Sequence, residues 1–397
     1  MLSTQARGMA RLYALDVARA VAVIGMIIVN VGPKDDNGPA SLIIRAAHGR
    51  ASILFVVLAG VGVSILARRA LTKGITRRST LLWRGLLLLL IGLGLQLLDH
   101  GVSVILPTYA ALFFLAAFVV KMPARWLFTS AAASTLLGPV IWLLARRTEN
   151  FSIEPASLSD SPLEILAAIL ITGPYPLVVW IAPFFLGLWL GRLPLGNRSI
   201  QLRMVFWGAG TAVVGLGISR VLVTVFGHPS PGFGFDRLIS SVGHSQMPLW
   251  LISSSGTALA LLGVLLLVVP RLDRRIRLLV AVGQMPLTVY TAHLVVIALL
   301  IRPGPETAFA GVALSLAFSA TLILFAVVWI ANLRYGPLEM LLRQPPRFLR
   351  VEYRLPARHR RRFHVRPSPR HAGPAPAPPE TTALPESAPA PRRARSR

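Results

Sequence analysis

Ten long apolar stretches run through this chain, and they constrain its fold more than any other feature. Most approach the roughly 20 residues that an α-helix needs to cross a bilayer, and they lack the two-residue alternation of membrane β-barrel strands. The predicted spans cover residues 17–34, 50–66, 84–98, 103–120, 126–144, 172–191, 203–226, 248–269, 278–300 and 308–331. We therefore predict an all-α, polytopic membrane bundle of about ten transmembrane helices.

Composition agrees with a membrane protein. Hydrophobic residues make up 54% of the 397 residues and charged residues 14%, against about 45–50% and about 25% in soluble domains. The chain has no cysteine, which excludes disulfides and thiolate chemistry. We predict a transmembrane domain over residues 1–345 and a basic tail over 346–397, whose Pro-, Ala- and Arg-rich composition favours disorder.

The positions of lysine and arginine predict the orientation of the bundle. With the N-terminus in the cytoplasm and ten alternating spans, 33 of the 41 basic residues lie on the cytoplasmic side and 7 on the outer side. Basic loops favour the cytoplasm, and the ratio is still 18 to 7 without the tail. We expect both termini in the cytoplasm, a multi-pass location in the cell (plasma) membrane, and a tail that contacts anionic lipids rather than nucleic acid.

Histidines are concentrated on the predicted outer face. Those assigned to outer loops are His48, His100, His228 and His244. His293 lies inside the ninth span, where ionisable groups are costly and usually functional. Because imidazole transfers protons near neutral pH, we name His48, the nearby Arg50 and His293 as catalytic candidates. The alternative for each histidine is ordinary loop polarity or a satisfied core position.

Other polar groups near the spans are candidates for binding. Asp16 and Arg19 are three residues apart on a helix and can pair, and Arg11 and Arg19 are suited to bind phosphates at the cytoplasmic entrance. The alternative is a topology anchor. The substrate-binding candidates are Asp16, Asn30, Tyr109, His244 and Tyr290. We expect no metal and no permanently bound cofactor.

Two segments with the same order of residue types predict interrupted helices. Residues 173–182 and 283–292 share Gly, Pro, Leu, Val, an aromatic residue and Ala in register. Three spans separate the two segments, so they run in opposite directions. This arrangement is typical of the inverted repeats of transporters.

Six segments, read in order, carry a family resemblance. They are Arg11 to Asn30, His48 to Ser64, Tyr175-Pro176 to Arg192, Gly243-His244-Ser245, Gly283 to Tyr290, and Tyr335 to Glu339. Over roughly residues 10–345, the chain resembles the YeiB-like bacterial membrane proteins of unknown function. These are distant relatives of the catalytic domain of heparan-α-glucosaminide N-acetyltransferase.

The resemblance implies acyl transfer across a membrane. In the eukaryotic relative, acetyl-CoA is used on the cytosolic side, and the acetyl group reaches a sugar amine on the other side. The key group there is a histidine in the loop after the first matching span, and His48 lies in the corresponding loop. The donor implied is acetyl-CoA or another acyl-CoA, and the acceptor is an envelope glycan or glycolipid.

Two other classes of function fit the same sequence. A multi-pass transporter or exporter of a small polar solute would use the intramembrane polar groups as a substrate path and proton relay. A non-catalytic membrane scaffold would use neither the histidines nor the arginines chemically. A homodimer is one candidate assembly.

Overall fold

The structure, a computed structural model, describes residues 4–33, 38–73, 77–147, 153–272 and 276–343. The predicted tail, 346–397, lies outside the described residues. All regular structure within the described ranges is helical, which confirms the all-α prediction.

Fourteen α-helices are present in these ranges. They are α1 (Thr4–Val31), α2 (Ser41–Ala47), α3 (Arg50–Lys73), α4 (Arg77–Leu95), α5 (Leu106–Val119), α6 (Ala124–Arg147), α7 (Pro162–Ala167), α8 (Leu177–Leu190), α9 (Arg198–Phe226), α10 (Pro248–Val268), α11 (Arg277–Gln284), α12 (Pro286–Val296), α13 (Ala308–Asn332) and α14 (Pro337–Arg343). A π-helical turn extends α7 to Thr172, and a second π-helical turn extends α12 to Ile301.

Many of these helices suit a lipid bilayer. Among the described residues, seven helices are long and apolar enough to cross a membrane, and nine spans result if each of two bent helix pairs counts as one. Helix α5 is apolar but shorter. The chain is therefore a multi-pass membrane protein, since repeated apolar helices of this length have no other way to bury their surface.

Both segments predicted as interrupted helices do break. The axis bends by 63° between Pro162–Thr172 and Leu177–Leu190, and by 84° between Arg277–Gln284 and Pro286–Ile301. Proline causes both interruptions because it cannot donate a backbone hydrogen bond and its ring clashes with the preceding turn. Pro174 and Pro176 lie within the first break, and Pro286 begins the helix after the second.

Helix α1 runs through the middle of the bundle and packs against α3, α10, α11 and α13. Its buried face carries four alanines, Ala14, Ala18, Ala20 and Ala22. Small side chains let neighbouring membrane helices approach closely. The apolar part of α1 runs from Tyr13 to Val31, so Asp16 lies near one end of it and Asn30 near the other.

Burial separates central from peripheral helices. The apolar window of Ser41–Arg68 is 72% buried inside the protein, whereas that of α9 is 11% buried. Helix α9 accordingly exposes large apolar side chains such as Phe206 and Trp207. The candidate catalytic residue His48 lies just before the buried part of this span and is itself half-buried.

Candidate functional site

A cavity of about 620 Å³ opens at one end of the bundle, which we call the histidine end. Its walls come from the end of α1, the break between α2 and α3, the loop before α5, helix α6, the break before α8, the loop before α10 and the loop before α13. The polar side chains that line it are Asn30, His48, Ser103, Tyr175, Arg237, His244, Gln246 and Arg302. Three of the predicted site residues thus share one cavity.

His48 and His244 are in direct ring contact on the cavity wall. Their ring centroids are 4.9 Å apart in an edge-to-face arrangement. His48 ends α2, and the next residue, Gly49, has φ +73° and lies so close to Trp250 and the His244 backbone that an added Cβ would be 2.8 Å from Trp250 Nε1. Glycine is needed there because other residues rarely adopt this φ and have no room. The turn at Gly49 therefore places the His48 ring in contact with the His244 ring.

The loop that carries His244 has an unusual backbone. His244 and Gln246 have φ values of 58° and 66°, a conformation that is costly for residues other than glycine and clusters at functional sites. Gln246 Oε1 accepts a hydrogen bond from Trp180 Nε1 at 3.0 Å, and its Nε2 donates to Pro174 O at 3.0 Å. These bonds tie the loop to the break before α8.

A narrow recess continues the cavity toward the bundle centre, lined by Asn30, Ser52, Ser103, Tyr175, His244 and Tyr290 among others. The Tyr290 hydroxyl accepts a hydrogen bond from Ile105 N at 3.3 Å. Asn30 Nδ2 lies 3.2 Å from His293 Nε2, which must accept since an amide nitrogen only donates. His293 is fully buried behind Asn30, so it reaches the cavity through Asn30 rather than lining it.

Tyr109 lies deeper still. Its ring packs on Phe55 at 5.1 Å, and Phe55 stacks on Tyr290 at 6.2 Å. The Tyr109 hydroxyl is buried without a hydrogen-bond partner among the described residues. It lies within electrostatic range of both Arg19 and Tyr290. Tyr109 therefore places a buried hydroxyl between the recess and the other end of the bundle.

That other end, the arginine end, holds the predicted Asp16–Arg19 pair. Arg19 Nη1 donates to Asp16 Oδ1 at 2.5 Å, so the pairing predicted from the i, i+3 spacing is confirmed. Arg84 lies within electrostatic range of Arg19 and Arg343. Helix α1 contains Arg11, but the Arg11 side chain lies outside the described residues. At 1.5 Å per residue, Asp16 and Asn30 are about 21 Å apart along α1.

The two helix breaks lie near opposite ends of the apolar part of α1, Tyr13–Val31. Gly173 and Tyr175 line the cavity together with Asn30. Gly283, in the second interrupted segment, lies against the Asp16 backbone. Glu339 caps that second break by accepting from Leu287 N at 2.7 Å and Thr288 N at 3.1 Å. The last two motifs of the family resemblance therefore meet in space.

Three other residues singled out from the sequence lie apart from the cavity. Arg50 donates to the carbonyls of Arg45 and Ala46 at 3.3 Å each, back toward α2, and it is not among the cavity-lining residues. His228 is exposed. His100 is buried, and Val102 N donates to its Nδ1 at 3.0 Å while Nε2 lies 3.0 Å from Leu95 O. Burial lowers the pKa of His100 below its ordinary value of 6.5, so His100 closes a turn as a neutral ring.

Sequence reasoning missed several residues of the site. In the sequence, Gln246 is only a polar residue before an apolar helix, and nothing there predicts a site residue. Its conformation depends on a hydrogen bond from Trp180, which is far away in the chain. Arg237 and Arg302 belong to the seven basic residues of the predicted outer side, which indicate orientation but no site, and both line the cavity. Among the described residues, no three His, Asp or Glu side chains come together as metal ligands.

Comparison with known proteins identifies one family. Residues 196–345 match the family model described as "Protein of unknown function (DUF418)", a stretch that contains α9 to α14 and therefore His244, Tyr290 and His293 but not His48. No curated protein matches the chain. Neither comparison bears on acyl transfer. The match covers less than half of the chain and agrees with the resemblance found in the sequence motifs: residues 196–345 are similar to the DUF418 family of unknown function.

Proposed function

We propose that the bundle crosses the membrane ten times, with the histidine end outside and both termini in the cytoplasm of a cell whose plasma membrane holds the protein. The seven long apolar helices, the two bent pairs and the shorter helix α5 supply the ten spans. The excess of Lys and Arg in alternate loops supports this orientation. It places the Asp16–Arg19 pair on the cytoplasmic side and the cavity on the outer side.

Within this topology, we propose that the protein is a membrane acyltransferase. It transfers an acyl group, which we take to be the two-carbon acetyl group, from cytosolic acyl-CoA to an extracytoplasmic sugar or glycolipid. The observation that carries the proposal is the His48–His244 ring contact, at 4.9 Å, on the wall of a cavity large enough for a small polar molecule. Such cavities with a few convergent polar groups are typical of ligand sites.

The chemical step uses His48 as general base. Its neutral imidazole removes a proton from the acceptor hydroxyl or amine, whose oxygen or nitrogen then attacks the thioester carbonyl carbon. The carbon–sulfur bond breaks, and CoA leaves as a thiolate that takes the proton back from His48. We assign proton relay to His244, whose ring contacts that of His48. His293 holds the Asn30 amide, which orients the acceptor.

The donor approaches from the arginine end. The phosphates of acyl-CoA are anionic and would bind Arg19 and Arg11, because guanidinium groups match phosphate geometry. Asp16 holds Arg19 in place through the ion pair. The acyl-bearing arm would then pass Tyr109 and Tyr290 to reach the recess beside His244.

Labelled acetyl-CoA tests the proposal directly. The full-length protein is reconstituted in vesicles with envelope lipids and glycans, and the label is followed into lipid and glycan fractions. We expect a labelled product with the native protein and about 10²–10⁴ less with His48→Ala that still inserts in the membrane. A native protein that leaves all label in acetyl-CoA would overturn the proposal.

A transporter is the second candidate, favoured by the two helix breaks, which lie near opposite ends of the apolar part of α1. Broken helices at mirrored positions are the usual site of solute binding in inverted-repeat transporters. Uptake of an intact labelled solute into vesicles, without any covalent product, would decide for this alternative. A scaffold would show neither uptake nor a labelled product.

A further inference from the structure

We propose that the cavity at the histidine end binds an anionic headgroup, a phosphate or a carboxylate, and that Arg237 and Arg302 anchor it. This inference deepens the proposed function, on which it rests, by naming the class of acceptor. The two arginines come from separate loops and both line the cavity that contains His48 and His244. They are therefore placed to hold the charged part of a ligand whose polar part reaches the histidines.

Local contacts hold both guanidinium groups at the cavity. Arg302 Nε donates to His100 O at 2.6 Å, so one edge of the group is fixed by the loop before α5. Arg237 Nη1 donates to Gly232 O at 3.5 Å, and its guanidinium lies 5.5 Å from the Phe233 ring centroid. These contacts satisfy only part of the donor capacity, because an arginine has five N–H donors.

Charge balance in the cavity favours an anion. Among the described residues that line it, Arg237 and Arg302 are the charged ones and none is a carboxylate. Neither arginine forms an ion pair with a described carboxylate. Asp236, next to Arg237 in the chain, instead accepts from Ser230 N and Oγ at 2.6 Å each. Hydrogen bonds from Ser230 lower the pKa of the Asp236 carboxyl. The Asp236 carboxylate is therefore engaged by Ser230 and does not neutralise Arg237.

The rest of the lining fits the uncharged part of such a ligand. Asn30, Tyr175 and Gln246 offer hydrogen-bonding groups beside the two histidines. A volume of about 620 Å³ lies within the range of about 300–1,000 Å³ common for small-ligand sites. A sugar phosphate, a uronic acid or a phospholipid headgroup has this combination of one anionic group and several hydroxyls.

Binding measurements with defined probes test the inference. The full-length protein is reconstituted in phosphatidylcholine nanodiscs, and quenching of tryptophan fluorescence is titrated with glucose 1-phosphate, glucuronate or glucose; Trp142 lines the cavity and can report occupancy. We expect saturable binding of at least one anionic probe and weaker binding of neutral glucose. For Arg237→Gln with Arg302→Gln, we expect the anion to bind about tenfold or more weaker for each guanidinium removed.

Matched variants control for charge and folding. Arg203→Gln with Arg220→Gln removes the same charge from two exposed residues of α9 outside the cavity, and we expect native affinity. Arg237→Lys with Arg302→Lys keeps the charge, and we expect most of the binding to remain. Equal affinity of the native protein and the Arg237→Gln, Arg302→Gln variant, equal binding of glucose, or no saturable binding of any anionic probe would overturn the inference.

A lipid arm identifies the source of the anion. The titration is repeated in nanodiscs of phosphatidylcholine and phosphatidylglycerol in equal parts. Competition by phosphatidylglycerol, seen as a higher apparent Kd, supports a lipid headgroup, and an unchanged Kd supports a soluble or glycan-linked anion. Binding with His48→Ala separates this inference from the proposed function: we expect acyl transfer to stop, while the anion still binds saturably and loses less than the tenfold expected for each guanidinium. A native protein that binds the anion but transfers no acyl group contradicts only the proposed function.

Discussion

The rings of His48 and His244 meet edge to face, 4.9 Å apart, although the two residues belong to distant parts of the chain. His244 lies inside the stretch that matches DUF418 and His48 lies outside it. The site is therefore built where the N-terminal helices meet the matched C-terminal half. Chemistry at this contact needs both parts of the bundle.

The histidine pair gives the first prediction. We expect His48→Ala to lower acetyl transfer by about 10²–10⁴, the usual contribution of a general base. His244→Ala should also lower it, since the second ring orients the first. The matched control is His228→Ala, an exposed histidine at the same end, which should keep native activity. The rate of label transfer from acetyl-CoA measures all three variants.

An equal loss in all three variants would show that the assay responds to damage at this end rather than to catalysis. Full activity in His48→Ala would remove His48 from the mechanism.

The substitution Tyr109→Phe tests whether the Tyr109 hydroxyl contributes to stability or to acetyl transfer. A buried hydroxyl without a partner costs about 1–3 kcal/mol of stability, and the Tyr109 hydroxyl is of this kind among the described residues. We therefore expect the variant to keep or raise the free energy of unfolding, measured by thermal denaturation in detergent. Acetyl transfer should fall roughly tenfold, about 1.4 kcal/mol in the barrier, because the donor path passes this group.

The control for Tyr109 is Tyr13→Phe, which makes the same change at an exposed tyrosine and should alter neither quantity. A clear drop in the Tm of Tyr109→Phe would mean that the hydroxyl is satisfied after all.

His100 predicts a pH dependence of stability. Burial lowers the pKa of His100 in the folded protein, Arg302 lowers it further, and Asp99 and the bond to Leu95 act in the opposite direction. When the pH falls below the ordinary pKa of 6.5, the imidazole of the unfolded chain is protonated while that of the folded protein is still neutral. The free energy of unfolding should therefore fall as pH is lowered through this value.

The Tm of the native protein and of His100→Asn, followed from about pH 8 to about pH 5, tests this point. Asparagine keeps an acceptor for Val102 N but does not titrate. We expect the native protein to lose more Tm than the variant over this range. Parallel curves would contradict a depressed pKa.

Particular residues show how far the sequence predicts this protein. The helical class follows from the apolar stretches, and the Asp16–Arg19 pair and both helix breaks follow from local rules of helical spacing and proline geometry. The position of Gln246 depends on hydrogen bonds to Trp180 and Pro174, and the two cavity arginines come from separate loops. No local rule predicts contacts between segments so far apart in sequence. Arg50 shows the opposite case: proximity to His48 in sequence did not place its side chain in the cavity, because its guanidinium turns to the carbonyls at the end of α2.

Glu339 should stabilise the second helix break. Its carboxylate accepts from Leu287 N, Thr288 N and, at 2.6 Å, Thr288 Oγ1, at the positive N-terminal end of α12. We expect Glu339→Gln to lower the free energy of unfolding by about 1–3 kcal/mol, the value of hydrogen bonds to a charged group. Glu306→Gln, at an exposed carboxylate, is the control. Equal Tm values for the two variants would refute the capping role.

Gly283 and Gly210 form a pair that tests the contact between α1 and the second break. An added Cβ at Gly283 would lie 1.8 Å from Asp16 O, whereas Gly210 has nothing within 4 Å. We expect Gly283→Ala to cost about 1–3 kcal/mol, because α11 must move away from α1. Gly210→Ala should gain up to about 1 kcal/mol from helix propensity alone. Thermal denaturation measures both.

Gly283→Ala also has a functional consequence under the proposed mechanism. Moving α11 shifts the backbone that carries Asp16, and with it the Arg19 guanidinium that Asp16 holds. Because Arg19 is assigned to donor phosphates and not to the chemical step, the KM for acetyl-CoA should rise while kcat changes little. A fall in kcat at unchanged KM would instead connect this contact to the histidine end.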